Sequence, residues 1–158
     1  MAYTMDIPRS FLAMIENSVG SRQYQSLYFF VDGVSTDILN GGDVSCAVYV
    51  SHILMSFKLT SDYRAFSDKV IEDIIKFGWE RTDNPHPGCV VYWGKMKHDD
   101  GSASKHNHVG FFIDTETAIS STHLTHEVSR HHITFGTLSD GSPKRDILGF
   151  YTHKDIRP

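Results

Sequence analysis

Helical and strand-like patterns occupy separate halves of this chain of 158 residues, and this separation constrains its fold more than any other feature. In the first half, apolar residues recur at helical spacing in three segments. In the second half, short apolar segments alternate with turn residues, as in antiparallel strands. Helices followed by an antiparallel sheet predict one α+β domain over residues 1–158. Its helical half covers roughly 1–80 and its sheet half roughly 85–155.

The first and third predicted helices have recognisable ends. The first begins after Asp6, whose side chain can cap it, and ends at Gly20. The third is capped by Ser61 or Asp62, and Gly78 stops it. The spacing predicts a buried face on the third helix that consists of Tyr63, Phe66, Val70, Ile74 and Phe77.

The second predicted helix carries Cys46 near its start. Asp43 is the predicted capping residue, which makes Cys46 the third residue of the segment. Cys46, Val50 and Ile53 share one apolar stripe, and this spacing favours a helix over the strand that the valines would also permit. Unsatisfied amides at a helix N-terminus lower the pKa of a thiol, so this position suits a nucleophile.

Five segments of the second half are predicted to be strands. They cover residues 89–93, 109–113, 118–121, 132–135 and 147–153. A polar loop follows the first of them, and a tight turn separates the second from the third.

Composition excludes several classes of partner. The formal net charge of −4 gives no support to nucleic-acid binding. Lys95, Lys97 and Lys105 are interpreted as part of a solvated loop. No apolar run reaches the length of a membrane span. The N-terminus has no basic head followed by an apolar stretch, so the sequence as written predicts a cytoplasmic protein, with export by another route left open.

Cys46 and His108 are the candidate nucleophile and general base. A cysteine hydrolase needs a base within hydrogen-bonding reach of its thiol, and a strand beginning at His108 could aim an imidazole at the helix start. Cysteine is also among the most buried residue types, so Cys46 alone would more often belong to the core. Cys89 serves as the comparison, because it lies in a strand and is assigned to the core.

Three ordered motifs resemble the NlpC-type family of papain-like cysteine peptidases, relatives of the CHAP amidases. They are Val-Ser-Cys-Ala-Val-Tyr-Val-Ser at 44–51, Pro-Gly-Cys-Val-Val-Tyr-Trp at 87–93 and His-Val-Gly-Phe-Phe-Ile at 108–113. The resemblance covers roughly residues 28–135. It implies a papain-like fold in which Cys46 and His108 cleave an amide or peptide bond, with bacterial cell-wall peptide as the leading substrate.

The chain departs from the family pattern around the cysteine. Ser45 stands where the family usually has aspartate, and Val48 replaces the usual glycine. The family also has a tyrosine upstream of the nucleophile, for which Tyr28 is the nearest match.

The residue that orients His108 has two candidates. The family places its orienting side chain at the position that corresponds to Ser120. A two-residue turn between the strands would instead bring His123 opposite His108, whereas a bulged turn would favour Ser120. A serine that merely fills a strand face is the third interpretation.

Two other functions remain open from the sequence. A relative that keeps the fold without catalysis would be a binding module, and the altered residues around Cys46 favour it. A histidine-rich metal protein is the third possibility, but no His-Glu-x-x-His motif is present, so neither a metal nor a cofactor is expected. The expected partner is a peptide or a small amide, without nucleic acid or membrane, and the sequence leaves the oligomeric state open.

Overall fold

Helices occupy the first half of the chain and a large antiparallel sheet occupies the second, so the predicted α+β class is confirmed. The structure is a computed structural model that describes residues 1–158. Helices in chain order are α1 (Ile7–Asn17), α2 (Cys46–Ser56) and α3 (Ser67–Lys76). Strands are β1 (Tyr28–Val31), β2 (Val34–Asp37), β3 (Glu80–Thr82), β4 (Val90–Trp93), β5 (His108–Phe112), β6 (Thr117–Thr122), β7 (Glu127–His132) and β8 (Ile147–Thr152).

Six of these strands form one sheet, in the order β3-β8-β4-β5-β6-β7. All neighbouring strands are antiparallel. The remaining two, β1 and β2, form a separate hairpin that the sequence did not predict. The arrangement of helices and antiparallel sheets is compatible with a papain-like amidase fold.

The first helix forms largely as predicted. The Asp6 side chain accepts a hydrogen bond from the Arg9 backbone N–H, which satisfies one of the amides at the helix start. The helix ends at Asn17, three residues before Gly20. Phe11 and Ile15 bury its apolar face.

The second helix begins later than predicted. Asp43 ends a short 3-10 turn (Asn40–Gly42) instead of capping the helix, and Cys46 is the first helical residue rather than the third. Ser45 ties this helix start to the sheet, because its hydroxyl donates to the Gly42 carbonyl at 2.9 Å and lies 2.6 Å from the Ser121 hydroxyl. Helix α2 packs against β5 and β6.

The third helix also begins later, and part of its predicted buried face is exposed. It starts at Ser67, so neither Ser61 nor Asp62 caps it. The buried Asp73 carboxylate instead accepts hydrogen bonds from Ser61, Thr60 and Arg64, which holds the preceding turn outside the helix. Val70 and Ile74 are buried as predicted, whereas Tyr63, Phe66 and Phe77 are exposed.

The main core lies between the helices and one face of the sheet. Phe11, Tyr49 and Phe111 meet edge to face at its centre. A smaller cluster around Trp93 covers the other face. Two strands of the large sheet differ from the prediction: β7 covers Glu127–His132 rather than residues 132–135, and the edge strand β3 was missed.

Candidate active site

A cleft of about 900 Å³ opens where the start of α2 meets the sheet. Cys46 and His108, the two residues singled out in the sequence, both line it. His123 and Arg145 line it as well. The fold therefore brings the thiol and the imidazole to one solvent-connected cavity.

Cys46 contributes its side chain from the first turn of α2. The residue is half-buried, whereas Cys89 is fully buried, in the smaller core cluster. The Cys89 sulfur accepts a hydrogen bond from the His86 backbone N–H at 3.4 Å. Only one of the two thiols thus faces the cleft, in agreement with the assignment of Cys89 to the core.

His108 is the first residue of β5 and is almost fully buried. The rings of Trp93 and Phe135 lie beside it, with centroids 5.6 and 5.2 Å from the imidazole centroid. Its Nε2 atom lies 2.8 Å from the Ser120 hydroxyl oxygen. The aromatic rings and this hydrogen bond restrict the orientation of the imidazole.

The strand register places Ser120 rather than His123 against His108. Phe111 pairs with Ile119 and Phe112 with Ala118, which differs by one residue from the register of a two-residue turn at 115–116. His123 follows the end of β6 and makes no hydrogen bond to His108, although it lines the cleft. Of the two candidate orienting residues, only Ser120 contacts the imidazole.

Gly110 allows β5 and β6 to approach closely at this point. A Cβ atom on Gly110 would lie 2.7 Å from both the Ser120 Cβ and the Ile119 carbonyl oxygen, closer than real atoms pack. The glycine of the His-Val-Gly segment thus has a steric role, since a side chain there would push Ser120 away from His108.

His131 extends this hydrogen-bonded pair into a chain of three residues. Its Nε2 atom lies 2.8 Å from the Ser120 hydroxyl, and its Nδ1 atom lies 2.9 Å from the His132 carbonyl oxygen. A carbonyl can only accept, so Nδ1 of His131 carries the proton and Nε2 accepts from the Ser120 O–H. Ser120 then accepts from Nε2–H of His108, which leaves a lone pair on Nδ1 of neutral His108.

His131 was not a predicted site residue, because the predicted strand began one residue later, at 132. In the structure His131 lies within β7, opposite Ala118 of β6. It is therefore a diagonal neighbour of Ser120 across the two strands. No periodic signal marked it, because residues 129–132 are all polar or charged.

Burial keeps both candidate catalytic groups neutral at rest. Burial raises the pKa of the Cys46 thiol, and the lowering effects of the Val109 backbone N–H and the Arg145 charge do not offset it. Burial also lowers the pKa of His108 well below its ordinary value, and the Arg145 charge adds to this. The expected low thiol pKa is thus wrong, because desolvation outweighs the helix terminus.

His131 is also neutral near pH 7. Burial lowers its pKa to about 4, against the raising effect of its hydrogen bond to the His132 carbonyl. It can therefore accept from Ser120 throughout the neutral range.

Arg145 is a buried cation that was not among the predicted site residues. Its side chain lines the cleft, and its Nη1 atom donates to the carbonyl oxygens of Gly94 at 2.6 Å and His106 at 3.4 Å. Burial lowers the pKa of its guanidinium to about 10, so the charge persists at neutral pH. The residue follows β7 in a loop, and no local motif marks it.

Two further expectations concern residues around the cleft. Lys95 and Lys105, interpreted from the sequence as part of a solvated loop, are exposed but form part of the cleft wall. Tyr28, the nearest match to the family tyrosine, lies exposed in the β1–β2 hairpin and does not line the cleft.

Neither a metal centre nor a membrane-spanning helix is found. No group of three or more histidine, cysteine, aspartate or glutamate side chains is arranged to hold a metal ion. None of the helices has the length and apolar character needed to cross a bilayer.

One known protein family matches most of this chain. The model of the family described as bacteriophage peptidoglycan hydrolase (Amidase_5) matches residues 32–143, more than half of the chain. The chain therefore belongs to this family of peptidoglycan hydrolases. Among curated proteins, none matches it. Membership supports a cell-wall hydrolase activity with peptidoglycan as the substrate, and the matched range contains Cys46, His108, Ser120 and His131.

Proposed function

We propose that this protein is a cysteine-dependent amidase or peptidase with a papain-like, NlpC-type site, which cleaves an amide bond of peptidoglycan. One observation carries the proposal. Cys46, at the start of a helix, shares a cleft with His108, whose far nitrogen is held by Ser120. Family membership supports the substrate class.

The chemistry follows from the assigned proton positions. Nδ1 of His108 takes the Cys46 proton as the sulfur attacks the amide carbonyl carbon. The carbonyl oxygen becomes an oxyanion, which we assign to the backbone N–H groups in the first turn of α2, because they lack intrahelical acceptors. When the intermediate collapses, the C–N bond breaks and His108 returns the proton to the leaving amine.

Hydrolysis of the thioester follows, with water as the nucleophile and the Cys46 sulfur as the leaving group. His108, again neutral, takes a proton from water as the water oxygen attacks the thioester carbonyl. The C–S bond then breaks, and Cys46 leaves as a thiolate that recovers the proton from His108. Each turnover consumes one water molecule and restores the neutral thiol and imidazole.

Ser120 and His131 act in this proposal as positioning residues. Ser120→Ala removes the acceptor for Nε2–H of His108, so we expect kcat to fall roughly tenfold to a hundredfold while KM changes little. His131→Leu should have a smaller effect of the same kind. His131→Gln offers an acceptor at a similar place and should recover much of the loss.

Steady-state kinetics across pH check the positioning role. In the native protein, activity should show an acid limb as pH falls towards the His131 pKa of about 4, and His131→Gln should remove this contribution. If His131→Leu had the same kcat and pH profile as the native protein, the positioning role of the hydrogen-bonded residues Ser120 and His131 would be contradicted.

A comparison of two inhibitors tests the proposed function itself. Purified peptidoglycan should release soluble fragments, and mass spectrometry of their ends identifies the cleaved bond. Prior treatment with iodoacetamide should abolish release, because it caps the Cys46 thiol, whereas EDTA should leave release unchanged. Loss of release with EDTA but not with iodoacetamide would instead indicate a metal-dependent hydrolase.

A binding module without catalysis is the second candidate. It is favoured by the raised pKa of Cys46 and by Ser45 and Val48, which depart from the family pattern. This candidate predicts that the protein sediments with insoluble peptidoglycan and releases no soluble fragments. The hydrolase proposal predicts release that Cys46→Ala abolishes.

A further inference from the structure

Arg145 carries a charge that the protein buries and leaves without an acidic partner. Its exposed fraction is 3%, and none of the ion pairs in the structure includes it. Its Nε atom is the only buried side-chain nitrogen or oxygen atom without a hydrogen-bond partner. Buried charges are normally paired, so an unpaired guanidinium at a cleft calls for a ligand.

The guanidinium is held in place by contacts that do not neutralise it. Both of its hydrogen bonds start at Nη1 and end on carbonyl oxygens, those of Gly94 and His106. The Cζ atom of Arg145 lies 5.2 Å from the centre of the Phe135 ring. The rings of His131 and His108 also lie beside Phe135. These contacts fix the orientation of the guanidinium. Its remaining N–H groups can still donate to an acceptor in the cleft.

The charges around the cleft favour an anion in its interior. Lys95 and Lys105 line the cleft together with Arg145. The acidic residues of the lining, Asp43 and Asp68, are both exposed. Arg145 is thus the only buried charged side chain of the cleft, and it is positive.

We propose that Arg145 binds a carboxylate of the substrate inside the cleft, so that the enzyme selects peptides with a free carboxylate near the scissile amide. This deepens the proposed function and rests on it. A carboxylate matches the planar guanidinium, which can donate two parallel hydrogen bonds to it. Cys46 and Arg145 line the same cleft, and the Arg145 charge acts on the Cys46 thiol, so one bound peptide can reach both groups.

A different role for Arg145 would be electrostatic stabilisation of the Cys46 thiolate. That role would increase the reactivity of the sulfur towards charged and neutral reagents alike. Selection of a carboxylate favours only reagents that carry one. Two small electrophiles that differ in this single group separate the roles.

Iodoacetate and iodoacetamide form this pair. With either reagent the Cys46 thiolate forms an S–C bond and iodide leaves, so the two reactions differ only in carboxylate against carboxamide. We measure both rate constants at Cys46 by peptide mapping, and we use glutathione as the reference thiol. In the native protein the iodoacetate-to-iodoacetamide ratio should exceed that of glutathione by about tenfold.

Variants of Arg145 locate the origin of the preference. Arg145→Gln should reduce the ratio to that of glutathione, and Arg145→Lys, which keeps the charge but loses the planar pair of donors, should give a ratio between that of glutathione and that of the native protein. Lys154→Gln removes one positive charge from an exposed side chain outside the cleft and should leave the ratio unchanged. A ratio equal to that of glutathione in the native protein overturns the proposal, and this arm requires no variant to fold.

A second arm measures hydrolysis of two matched peptide amides, one with a free carboxylate next to the scissile bond and one with a carboxamide there. The carboxylate form should have the higher kcat/KM in the native protein, and Arg145→Gln should abolish the difference. Equal kcat/KM values would overturn the carboxylate site even if Cys46→Ala is inactive. Hydrolysis that persists in Cys46→Ala would refute the proposed function, whereas the alkylation ratio would still test Arg145.

Discussion

Replacing Cys46 by alanine is expected to abolish peptidoglycan hydrolysis, with kcat/KM lower by about ten-thousandfold or more. The substitution removes the atom that attacks the carbonyl, and no other cysteine reaches the cleft, because Cys89 is fully buried. The side chain is small and half-buried, so the fold should tolerate the loss. Release of soluble fragments, followed together with thermal unfolding, provides the measurement.

Cys89→Ala is the matched control for this experiment. It removes the same chemical group from the core of the sheet, where it contributes packing and accepts one hydrogen bond. We expect a lower melting temperature and nearly normal kcat/KM for the molecules that remain folded. If Cys89→Ala lost activity while Cys46→Ala retained it, Cys46 would not be the nucleophile.

Replacing His108 by alanine is expected to reduce kcat about a thousandfold, because proton transfer to and from both the thiol and the leaving amine is lost. His123→Ala is the matched control. His123 lines the same cleft but is exposed and does not contact Ser120, so its loss should change kcat little.

The pH dependence adds a second readout for His108. Burial lowers the pKa of His108 well below the ordinary histidine value, so the native imidazole remains a base as the pH falls through about 6.5. Activity should decline only as the pH falls through the lowered pKa. In His108→Ala this acid limb should disappear, and the remaining rate should rise with hydroxide concentration. An unchanged pH profile would contradict the assignment of His108 as the base.

The pH dependence of stability has a definite sign for the same group. Below about pH 6.5 the unfolded chain binds a proton at His108 that the folded protein does not accept. The stabilisation of the folded protein that depends on neutral His108 is therefore fully present above that pH. It is lost as the pH falls towards the lowered pKa that His108 has in the folded protein.

Regular periodicity predicted most helices and strands, whereas contacts between distant residues decided their ends. The polar and apolar stripes of α2 were sufficient to predict a helix around Cys46, but its start depends on the hydrogen bond between Ser45 and Ser121. The start of α3 similarly depends on Asp73, which binds Thr60 and Ser61 in the preceding turn. Such contacts join segments that no local pattern relates.

Local patterns likewise predicted some residues of the candidate site, whereas contacts between distant segments placed the others. Cys46 and His108 lie in local motifs, so the sequence could nominate them. The choice between Ser120 and His123 depended on the register of one hairpin, which differs from a two-residue turn by one position. Arg145 lies in a loop after β7, and its burial results from packing against distant backbone carbonyls, so nothing in its neighbourhood predicted it.

The most direct test of the account is capture of the covalent intermediate. The protein is mixed with a labelled peptidoglycan fragment and quenched in acid within milliseconds to seconds, and its peptides are mapped by mass spectrometry. We predict a fragment joined through a hydroxylamine-sensitive thioester to the peptide that contains Cys46, and no such adduct in Cys46→Ala. A fragment attached to any other residue, or an adduct that forms equally in Cys46→Ala, would contradict the central claim.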